Sequence, residues 1–284
     1  MKNLNTAERV SKKDESDNYV YQRSLLAYLE AAKIISGRVL EIGTGNGYGI
    51  EVIAPLVDQF VTLDKKIPNF LDISYKGDHV TFLKKTVPKL TGIPDEYFDF
   101  VISFQVIEHV KDDRLFLKEI SRVLKNAGML IITTPNKKMS ITRNPWHVRE
   151  YTVSELKKIM SVSFKKINAL GVFGNNQIMT YYEQNRESVK KVTRFDIFNF
   201  QYILPRQFLL LPYNLLNQMN RTRLLKENQK LVSSIKHTDY FIAEAADHCF
   251  DLLFIAEKSP GNSSMNTDNE KIHFFLARLQ MCEQ

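Results

Sequence analysis

The sequence is poor in the features that mark disulfide-bonded or membrane-spanning proteins. It has 2 cysteines in 284 residues, Cys249 and Cys282, which lie far apart and outside any metal-ligand spacing. We interpret them as reduced thiols of a cytosolic protein. No apolar run approaches the roughly 20 residues that span a bilayer, and the first residues lack the apolar core of a signal peptide. We therefore expect a cytoplasmic protein, soluble or at most peripheral to a membrane.

Strong charge of one sign is also missing. There are 39 Lys and Arg against 32 Asp and Glu, a formal net charge of +7, and 44% of the residues are hydrophobic. These values are ordinary for a globular protein and exclude fibrous or wholly disordered classes. The basic surplus weakly favours anionic partners without identifying one. The length suits one large domain, or one domain with an insertion.

Glycine is scarce but concentrated in one place. Four of the 11 glycines fall within residues 39–49, VLEIGTGNGYG, where an apolar run ends. This density indicates a backbone that turns tightly or approaches a ligand closely. The spacing G-x-G-x-G differs from the dinucleotide loop, G-x-G-x-x-G, and no Lys-Ser or Lys-Thr pair follows as in a P-loop. The loop is therefore not predicted to bind phosphate.

Short runs rich in Val, Ile, Phe and Thr alternate with helical stretches. Strands are predicted over 38–42, 60–64, 80–83, 98–104, 128–134, 164–174 and 250–258, and helices over 47–57 and 112–126. A further helix starts at Thr152, which forms a capping box with Glu155. The alternation predicts an α/β fold with a doubly wound parallel sheet, whose ligands bind at the carboxyl ends of the strands.

The composition changes along the chain and predicts four parts. They are a polar N-terminal segment (1–24), a core (25–173 and 250–258), a mainly helical insertion (174–249), and a linker with a tail helix (259–284). The insertion has three readings: a packed subdomain, a lid over an apolar or anionic acceptor, or a membrane-surface or nucleic-acid contact. Between residues 174 and 240, ten Lys and Arg face five Asp and Glu. The two prolines of ILPRQFLLLPYNLL argue against one continuous helix there.

Two acidic residues accompany the glycine loop. Glu41 precedes it, and Asp64 ends the second predicted strand. An acid at the end of that strand suits hydrogen bonds to ribose hydroxyls, and Glu41 would attract a cation. We therefore expect a nucleoside that carries cationic groups and no pyrophosphate. S-adenosylmethionine, with a sulfonium and an ammonium group, fits this description.

LEIGTGNGYG, followed by LDKK and FDFVISFQVIEHV, resembles the class I S-adenosylmethionine-dependent methyltransferases. Within them the chain looks like the ubiquinone- and menaquinone-biosynthesis enzymes and related small-molecule O- and N-methyltransferases. The resemblance covers roughly residues 36–171 and implies a Rossmann-like sheet of seven strands with the last antiparallel.

The resemblance also implies a cofactor, S-adenosyl-L-methionine, and the residues that bind it. Those residues are Glu41, Gly43, Thr44, Gly45, Gly47, Asp64, Phe104 and Gln105. In this family an acid usually follows the third strand, near the adenine. Lys84 and Lys85 stand there in this chain, so no adenine contact is assigned.

Two histidines are candidate general bases for the methyl acceptor. His109 follows the fourth strand, and His147 lies in the loop NPWHVREY after the fifth. Histidine suits the role because it changes charge near neutral pH, although each could instead be a packed or surface residue. Small-RNA 3′-end methyltransferases hold a metal with Glu-x-x-Glu-His and a further histidine. Gln105 replaces the first of those carboxylates here, and an amide is a poor ligand, so no metal is predicted.

The predicted function is transfer of a methyl group to an oxygen or nitrogen of a small-molecule or lipid-like acceptor. Two alternatives stay open. An RNA methyltransferase would need a contiguous basic face, for which the sequence has no clear sign, so a nucleic-acid partner is not expected. A cofactor-binding regulatory protein without catalysis would keep Glu41, the glycines and Asp64.

Overall fold

One mixed sheet of eight strands organises the described part of the chain. The computed structural model describes residues 10–67, 77–194 and 200–258. The strands are β1 (Arg38–Ile42), β2 (Gln59–Asp64), β3 (Val80–Lys84), β4 (Phe98–Phe104), β5 (Leu124–Pro135), β6 (Lys166–Gly174), β7 (Tyr240–Glu244) and β8 (Asp251–Glu257). Their spatial order is β3-β2-β1-β4-β5-β8-β6-β7.

The first five strands are parallel, and β8 enters antiparallel between β5 and β6. The α/β fold with a mostly parallel, Rossmann-like core is thereby confirmed. The predicted count of seven strands was one short, because β7 pairs antiparallel with β6 at the edge of the sheet. This strand was missed because it is short and half-exposed, with only Tyr240 buried, so its sequence carries little of a core strand's apolar signal.

Helices cover both faces of the sheet. They are α1 (Asn18–Ala32), α2 (Tyr48–Val52), α3 (Asp113–Val123), α4 (Val153–Met160), α5 (Asn176–Thr193), α6 (Phe200–Ile203), α7 (Arg206–Glu227) and α8 (Gln229–Ser234). Successive residues of β1 point to opposite sides: Val39 belongs to the apolar cluster that includes α1 and α2, and Leu40 to the cluster that includes α3 and α4. This alternation directs Glu41 towards α1.

Several predicted helix limits are corrected by the structure. The helix after the glycine loop ends at Val52 and is followed by a 3-10 turn, Ala54–Leu56, instead of continuing to residue 57. Pro55 lies in that turn, and proline cannot donate the backbone hydrogen bond that an α-helix requires. The helix predicted over 112–126 is α3, which ends at Val123, because Leu124 already pairs with Phe98 as the start of β5.

The insertion contains α5 to α8 together with β7. Pro205 separates α6 from α7, so this segment is not one continuous helix, as expected, whereas Pro212 lies inside α7. Pro212 is exposed, so its ring meets solvent and not the protein core. The predicted linker and tail helix, together with Cys282, lie outside the described residues, whereas Cys249 is buried with a free thiol. The segment 1–24 is described from residue 10 and includes the start of α1.

The capping box predicted for α4 is present. The Thr152 side chain accepts a hydrogen bond from the Glu155 backbone at 3.3 Å, and the Glu155 carboxylate accepts one from the Thr152 backbone at 2.8 Å. The apolar residues Leu156 and Met160 then fix the helix to the core. The two bonds satisfy backbone donors that no helical partner can reach.

We predict that Thr152→Ala lowers the free energy of unfolding by about 1 kcal/mol, because the first-turn donor loses its acceptor. Chemical denaturation followed by circular dichroism measures the change. Lys157→Ala, at an exposed position of the same helix, is the matched control and should change the value by less than about 0.5 kcal/mol. Equal effects of the two substitutions would contradict the capping role.

Candidate active site

The glycine loop leaves β1 in a conformation that other residues rarely adopt. Gly43, Gly45 and Gly47 have φ angles of +97°, +54° and +86°. A Cβ atom on Gly43 would lie 2.5 Å from Cγ2 of Val106, whereas one on Gly45 would meet only the Gly43 carbonyl oxygen, at 3.9 Å. Backbone geometry thus requires glycine at both positions. At Gly45 the space beside the backbone stays open, as a loop that holds a ligand needs.

A buried carboxylate lies beneath this loop. Glu41 is 1% exposed. One oxygen accepts a hydrogen bond from the Tyr28 hydroxyl at 2.9 Å and the other accepts one from Thr62. The Thr62 hydroxyl also lies 2.6 Å from that of Thr44. The network therefore joins α1, β1, β2 and the loop through one side chain.

Gly49 in α2 makes room for that carboxylate. A Cβ atom at this position would lie 2.0 Å from Oε1 of Glu41 and 2.9 Å from Cε1 of Tyr28. Contacts this short do not occur between real atoms, so α2 can approach β1 only with glycine there. The fourth glycine of the stretch thus serves Glu41 and not the backbone turn.

Burial raises the pKa of Glu41 to about 7, although the hydrogen bonds from Thr62 and Tyr28 oppose the shift. Desolvation dominates because the carboxylate is enclosed by helix and strand. Near neutral pH this side chain therefore changes charge directly under the predicted cofactor loop.

Asp64 ties the end of β2 to the loop. Its Oδ2 accepts a hydrogen bond from the Gly45 backbone at 3.0 Å, and its Oδ1 accepts one from the Lys66 backbone at 2.9 Å. Asp64 is half-buried at the carboxyl end of the strand. The geometry is compatible with the predicted ribose contact.

Two lysines lie at the end of β3. The backbone of Lys84 is the neighbour of Asp64 in the sheet register. The Lys85 ammonium donates a hydrogen bond to the Thr91 carbonyl oxygen at 2.7 Å. At the end of β3 itself, Lys84 and Lys85 occupy the positions where the family resemblance implies an acid. The adenine contacts stay unassigned.

The end of β4 brings the next predicted residues to the loop. The Phe104 ring packs edge-on against Tyr28, with centroids 4.8 Å apart. Gln105 has a φ angle of +57°, unusual for a residue other than glycine. Its backbone N–H donates to the Thr133 carbonyl at 3.0 Å, and its side-chain amide to the Thr133 hydroxyl at 3.3 Å. Both side chains are thus fixed beside the loop, and their contact with the cofactor remains a prediction.

Glu108 and His109 were predicted to open the next helix. They lie instead in a 3-10 turn, Ile107–His109. Glu108 is 1% exposed, and its carboxylate accepts a hydrogen bond from Thr134 at 3.0 Å. Its carbonyl oxygen accepts one from the Val148 backbone at 2.7 Å. Burial raises the pKa of Glu108, and the nearby His109 and His147 oppose the shift. The turn therefore anchors the loop that carries the second histidine.

The two predicted histidines meet at this turn. The ring centroids of His109 and His147 are 5.0 Å apart. Nδ1 of His109 lies 3.0 Å from the Trp146 carbonyl oxygen, and Nδ1 of His147 lies 2.7 Å from Oε1 of Glu150. A carbonyl or carboxylate oxygen only accepts, so these bonds assign the hydrogen to Nδ1 of each ring. Nε2 is then the basic atom of both neutral histidines. The Asn144 side-chain amide lies 2.9 Å from Nε2 of His147.

The same turn and loop form a set of metal-ligating groups. One ligand atom each from Glu108, His109 and His147 lies within 4.8 Å of the others. One carboxylate and two imidazoles are a ligand set that divalent metals accept. Gln105 is not a member of this set, and the absence of a bound metal stays a prediction.

Sequence reasoning missed the partners that hold these groups in place. Tyr28 and Thr62 bind Glu41, Thr134 binds Glu108, and Glu150 binds His147. Tyr28 lies on α1, for which no helix was predicted. Only Glu150, three residues after His147, could have been found from local spacing.

The strand order and the glycine loop after β1 define a Rossmann-like, nucleoside-binding α/β protein. The sequence profile of the family described as "Methyltransferase domain" matches residues 40–132. A "Probable S-adenosylmethionine-dependent methyltransferase" of Mycolicibacterium smegmatis is 32% identical over 175 residues, 59% of this chain and 68% of that protein. This chain therefore belongs to the S-adenosylmethionine-dependent methyltransferases, the family that its sequence resembles. The cofactor of this family is S-adenosylmethionine.

Other relatives match over shorter shares of their length. A protein of the same description from Mycobacterium tuberculosis is 32% identical over 59% of this chain and 64% of its own length, so the chain spans just under two thirds of it. A ubiquinone biosynthesis O-methyltransferase of Bradyrhizobium diazoefficiens is 32% identical over 35% of this chain and 40% of that enzyme. The matched segment is thus shorter in these relatives than the whole of either protein.

A solved structure supports the fold. The "SAM-dependent methyltransferase, possible histamine N-methyltransferase" of Thermotoga maritima superposes with a TM-score of 0.53 at 18% identity, covering 84% of this chain and 91% of that one. At this identity the likeness concerns the fold alone.

We predict that the stability of the protein falls, relative to Glu41→Gln, as the pH rises from 4.5 to 7. The pKa of Glu41 is raised from 4.5 to about 7 in the folded state, so the native protein binds more protons than the unfolded chain in this interval. The stabilisation is complete below the unfolded pKa and is lost as the pH passes the folded one. The difference between the two unfolding free energies should change by roughly 3 kcal/mol. Urea denaturation at a series of pH values measures it, and parallel curves would contradict the shift.

We also predict that Asp64→Ala weakens S-adenosylmethionine binding by about ten- to hundredfold, because a charged acceptor of hydrogen bonds is removed. Isothermal titration calorimetry measures the dissociation constant. Asp58→Ala is the matched control, since Asp58 is exposed just before the amino end of the same strand. Unchanged affinity of Asp64→Ala would refute the ribose assignment.

Proposed function

We propose that this protein transfers a methyl group from S-adenosylmethionine to an oxygen or nitrogen of a small-molecule or lipid-like acceptor. The observation that carries this proposal is the pair of histidines beside the end of β4, next to the glycine loop. Val106 packs on Gly43, and His109 follows three residues later. The candidate bases and the cofactor loop thus belong to one continuous site.

The residues of the loop fit the cofactor. Gly43, Gly45 and Gly47 would surround its amino-acid end, Asp64 its ribose, and Phe104 and Gln105 the region near the sulfonium. When bound, S-adenosylmethionine supplies a methyl group made electrophilic by the positively charged sulfur. The protein has to align the acceptor with that carbon, exclude water, and remove a proton from a hydroxyl or ammonium.

His147 is the better placed of the two histidines for proton removal. Its bond to Glu150 orients the ring and stabilises the imidazolium that forms when Nε2 accepts a proton. Nε2 lies 2.9 Å from the Asn144 amide, which the acceptor would displace. The side chain is 9% exposed, so bulk water competes little with an acceptor. His109 is more open, with 29% of its side chain exposed, and its ring packs on His147. We assign His109 a position beside the acceptor and a secondary role in accepting the proton.

The loop that carries His147 is fixed by the insertion. The Trp146 indole N–H donates to Asn214 of α7 at 2.9 Å, and Arg143 donates to the Gln201 carbonyl oxygen at 2.9 Å. The insertion therefore borders the acceptor side of the site, which supports the interpretation as a lid. Its differences from relatives would then select the acceptor.

We predict that His147→Ala lowers kcat by about 10² to 10⁴, the usual contribution of a general base, while S-adenosylmethionine affinity stays within about twofold. Release of S-adenosylhomocysteine is measured with a panel of hydroxyl and amine acceptors, including lipophilic phenols. Glu150→Gln should lower kcat less, since it removes only the orienting charge.

His79→Ala serves as the control. His79 directly precedes the amino end of β3, whereas the two candidate bases follow the carboxyl ends of β4 and β5. The general-base assignment is wrong if His109→Ala and His147→Ala both retain full rates. A protein that binds the cofactor but yields no product with any acceptor would instead support a regulatory role.

A further inference from the structure

Helix α7 presents an apolar surface to solvent. Phe208, Leu211, Leu215, Leu216 and Met219 are between 47% and 69% exposed. Their spacing of three or four residues places them on one side of the helix. We call these five residues the α7 apolar face. Pro212, also exposed, lies among them.

This face is more than scattered surface hydrophobicity. Single exposed apolar residues are common, whereas contiguous patches mark a surface that another body covers. Burying any of these side chains would be favourable by the usual hydrophobic transfer. In α7, by contrast, only Leu224 near the C-terminal end is fully buried against the protein. The first four turns of the helix therefore expose most of their apolar area.

The charges around the face are mostly positive. Residues 200–227 contain four basic residues and one acidic residue, Glu227, which pairs with Arg223 at 2.6 Å. Arg223 and Lys226 continue the exposed side of the helix directly beyond Met219. Arg206 begins the helix and is also exposed. An apolar strip with cations at both ends is complementary to a partner that has an apolar interior and negatively charged groups at its surface.

We propose that the α7 apolar face docks on the surface of an anionic lipid bilayer. The apolar side chains would enter the boundary between headgroups and acyl chains, and the basic residues would contact anionic headgroups. Contact at the surface is the mode that fits, because no helix in the described part of the chain is both long and apolar enough to cross a membrane.

A second copy of the chain fits this face less well. Two such helices packed antiparallel would bring Arg223 and Lys226 of one against Phe208 and Leu211 of the other. Glu227 pairs only with Arg223, and burying the charge of Lys226 without a partner is unfavourable. A bilayer with anionic headgroups supplies the missing charges.

The docked helix would lie next to the active site. Asn214 accepts a hydrogen bond from the Trp146 indole, and Arg143 of the His147 loop donates one to the carbonyl oxygen of Gln201 in α6. Membrane docking would thus place the His147 loop beside the lipid. Delivery of a lipid-like acceptor from the bilayer rests on the proposed function, whereas the docking itself does not.

The test is sedimentation of the full-length protein with vesicles, without S-adenosylmethionine or acceptor. Vesicles of phosphatidylcholine alone are compared with vesicles of phosphatidylcholine and phosphatidylglycerol. We expect binding to the anionic vesicles that weakens with salt. The triple variant Phe208→Ser/Leu211→Ser/Leu215→Ser should lower the partition coefficient by at least about tenfold, and Arg223→Gln/Lys226→Gln should reduce the preference for anionic vesicles.

The matched control removes three exposed apolar residues elsewhere: Leu56→Ser/Ile67→Ser/Val162→Ser. This variant should bind vesicles like the unchanged protein. Circular dichroism and S-adenosylmethionine affinity verify that every variant folds. Because cofactor affinity is measured separately, a failure of docking is distinguishable from a failure of the proposed function.

Four results would overturn the docking proposal. One is the absence of binding to either vesicle type, and another is equal binding by the two triple variants. The third is a concentration-dependent dimer that only the α7 triple variant dissociates, without vesicle binding, which would make a second copy the occupant. The last is protection of residues 206–219 from hydrogen exchange in the monomer, without vesicle binding. It would indicate that the chain's own C-terminal segment covers the α7 apolar face, and it would refute docking on a bilayer.

Discussion

The buried carboxylate of Glu41 is the constraint on which the cofactor side of this structure depends. It receives hydrogen bonds from α1 and β2 and lies under the loop that follows β1. Because Gly49 has no side chain, α2 can close over it. Removing a carboxylate from water is unfavourable unless it is hydrogen-bonded or protonated, and both conditions act here, since Glu41 is bonded on each oxygen and its pKa is raised. The loop therefore owes its position in part to a buried, hydrogen-bonded carboxylate beneath it.

The acceptor side is built by a similar arrangement around Glu108. This second buried carboxylate bonds to β5 through Thr134, and its carbonyl oxygen fixes the loop that carries His147. Parallel strands place both carboxylates at the same edge of the sheet, because their carboxyl ends coincide there. Two polar centres thus hold two loops, the glycine loop and the loop of His147 that we propose faces the acceptor, with Phe104 and Val106 between them.

Much of the cofactor side could be predicted from sequence because its signals are local. Glycines after an apolar strand, with an acid at the end of the next strand, identify the loop and Asp64 without any tertiary information. The half-exposed edge strand β7 has no such signal and was missed. Of the two prolines in ILPRQFLLLPYNLL, only Pro205 interrupts a helix, and Pro212 lies inside α7.

The acceptor side was predicted only in part, since its contacts join residues distant in sequence. His109 and His147 were recognised as candidates, but their edge-on contact depends on a turn where a helix was expected. The Trp146–Asn214 bond spans 68 residues, and no spacing rule anticipates it. Glu150 follows His147 by three residues, yet its role appears only once the ring nitrogen and the carboxylate are seen together.

A crystal structure of the complex with S-adenosylhomocysteine tests the central claim most directly. The account predicts the amino-acid end of the ligand within the loop of Gly43, Gly45 and Gly47, and both ribose hydroxyls within hydrogen-bond distance of the Asp64 carboxylate. A nucleoside bound elsewhere on the protein, or a dinucleotide that binds with its pyrophosphate on this loop, would contradict it.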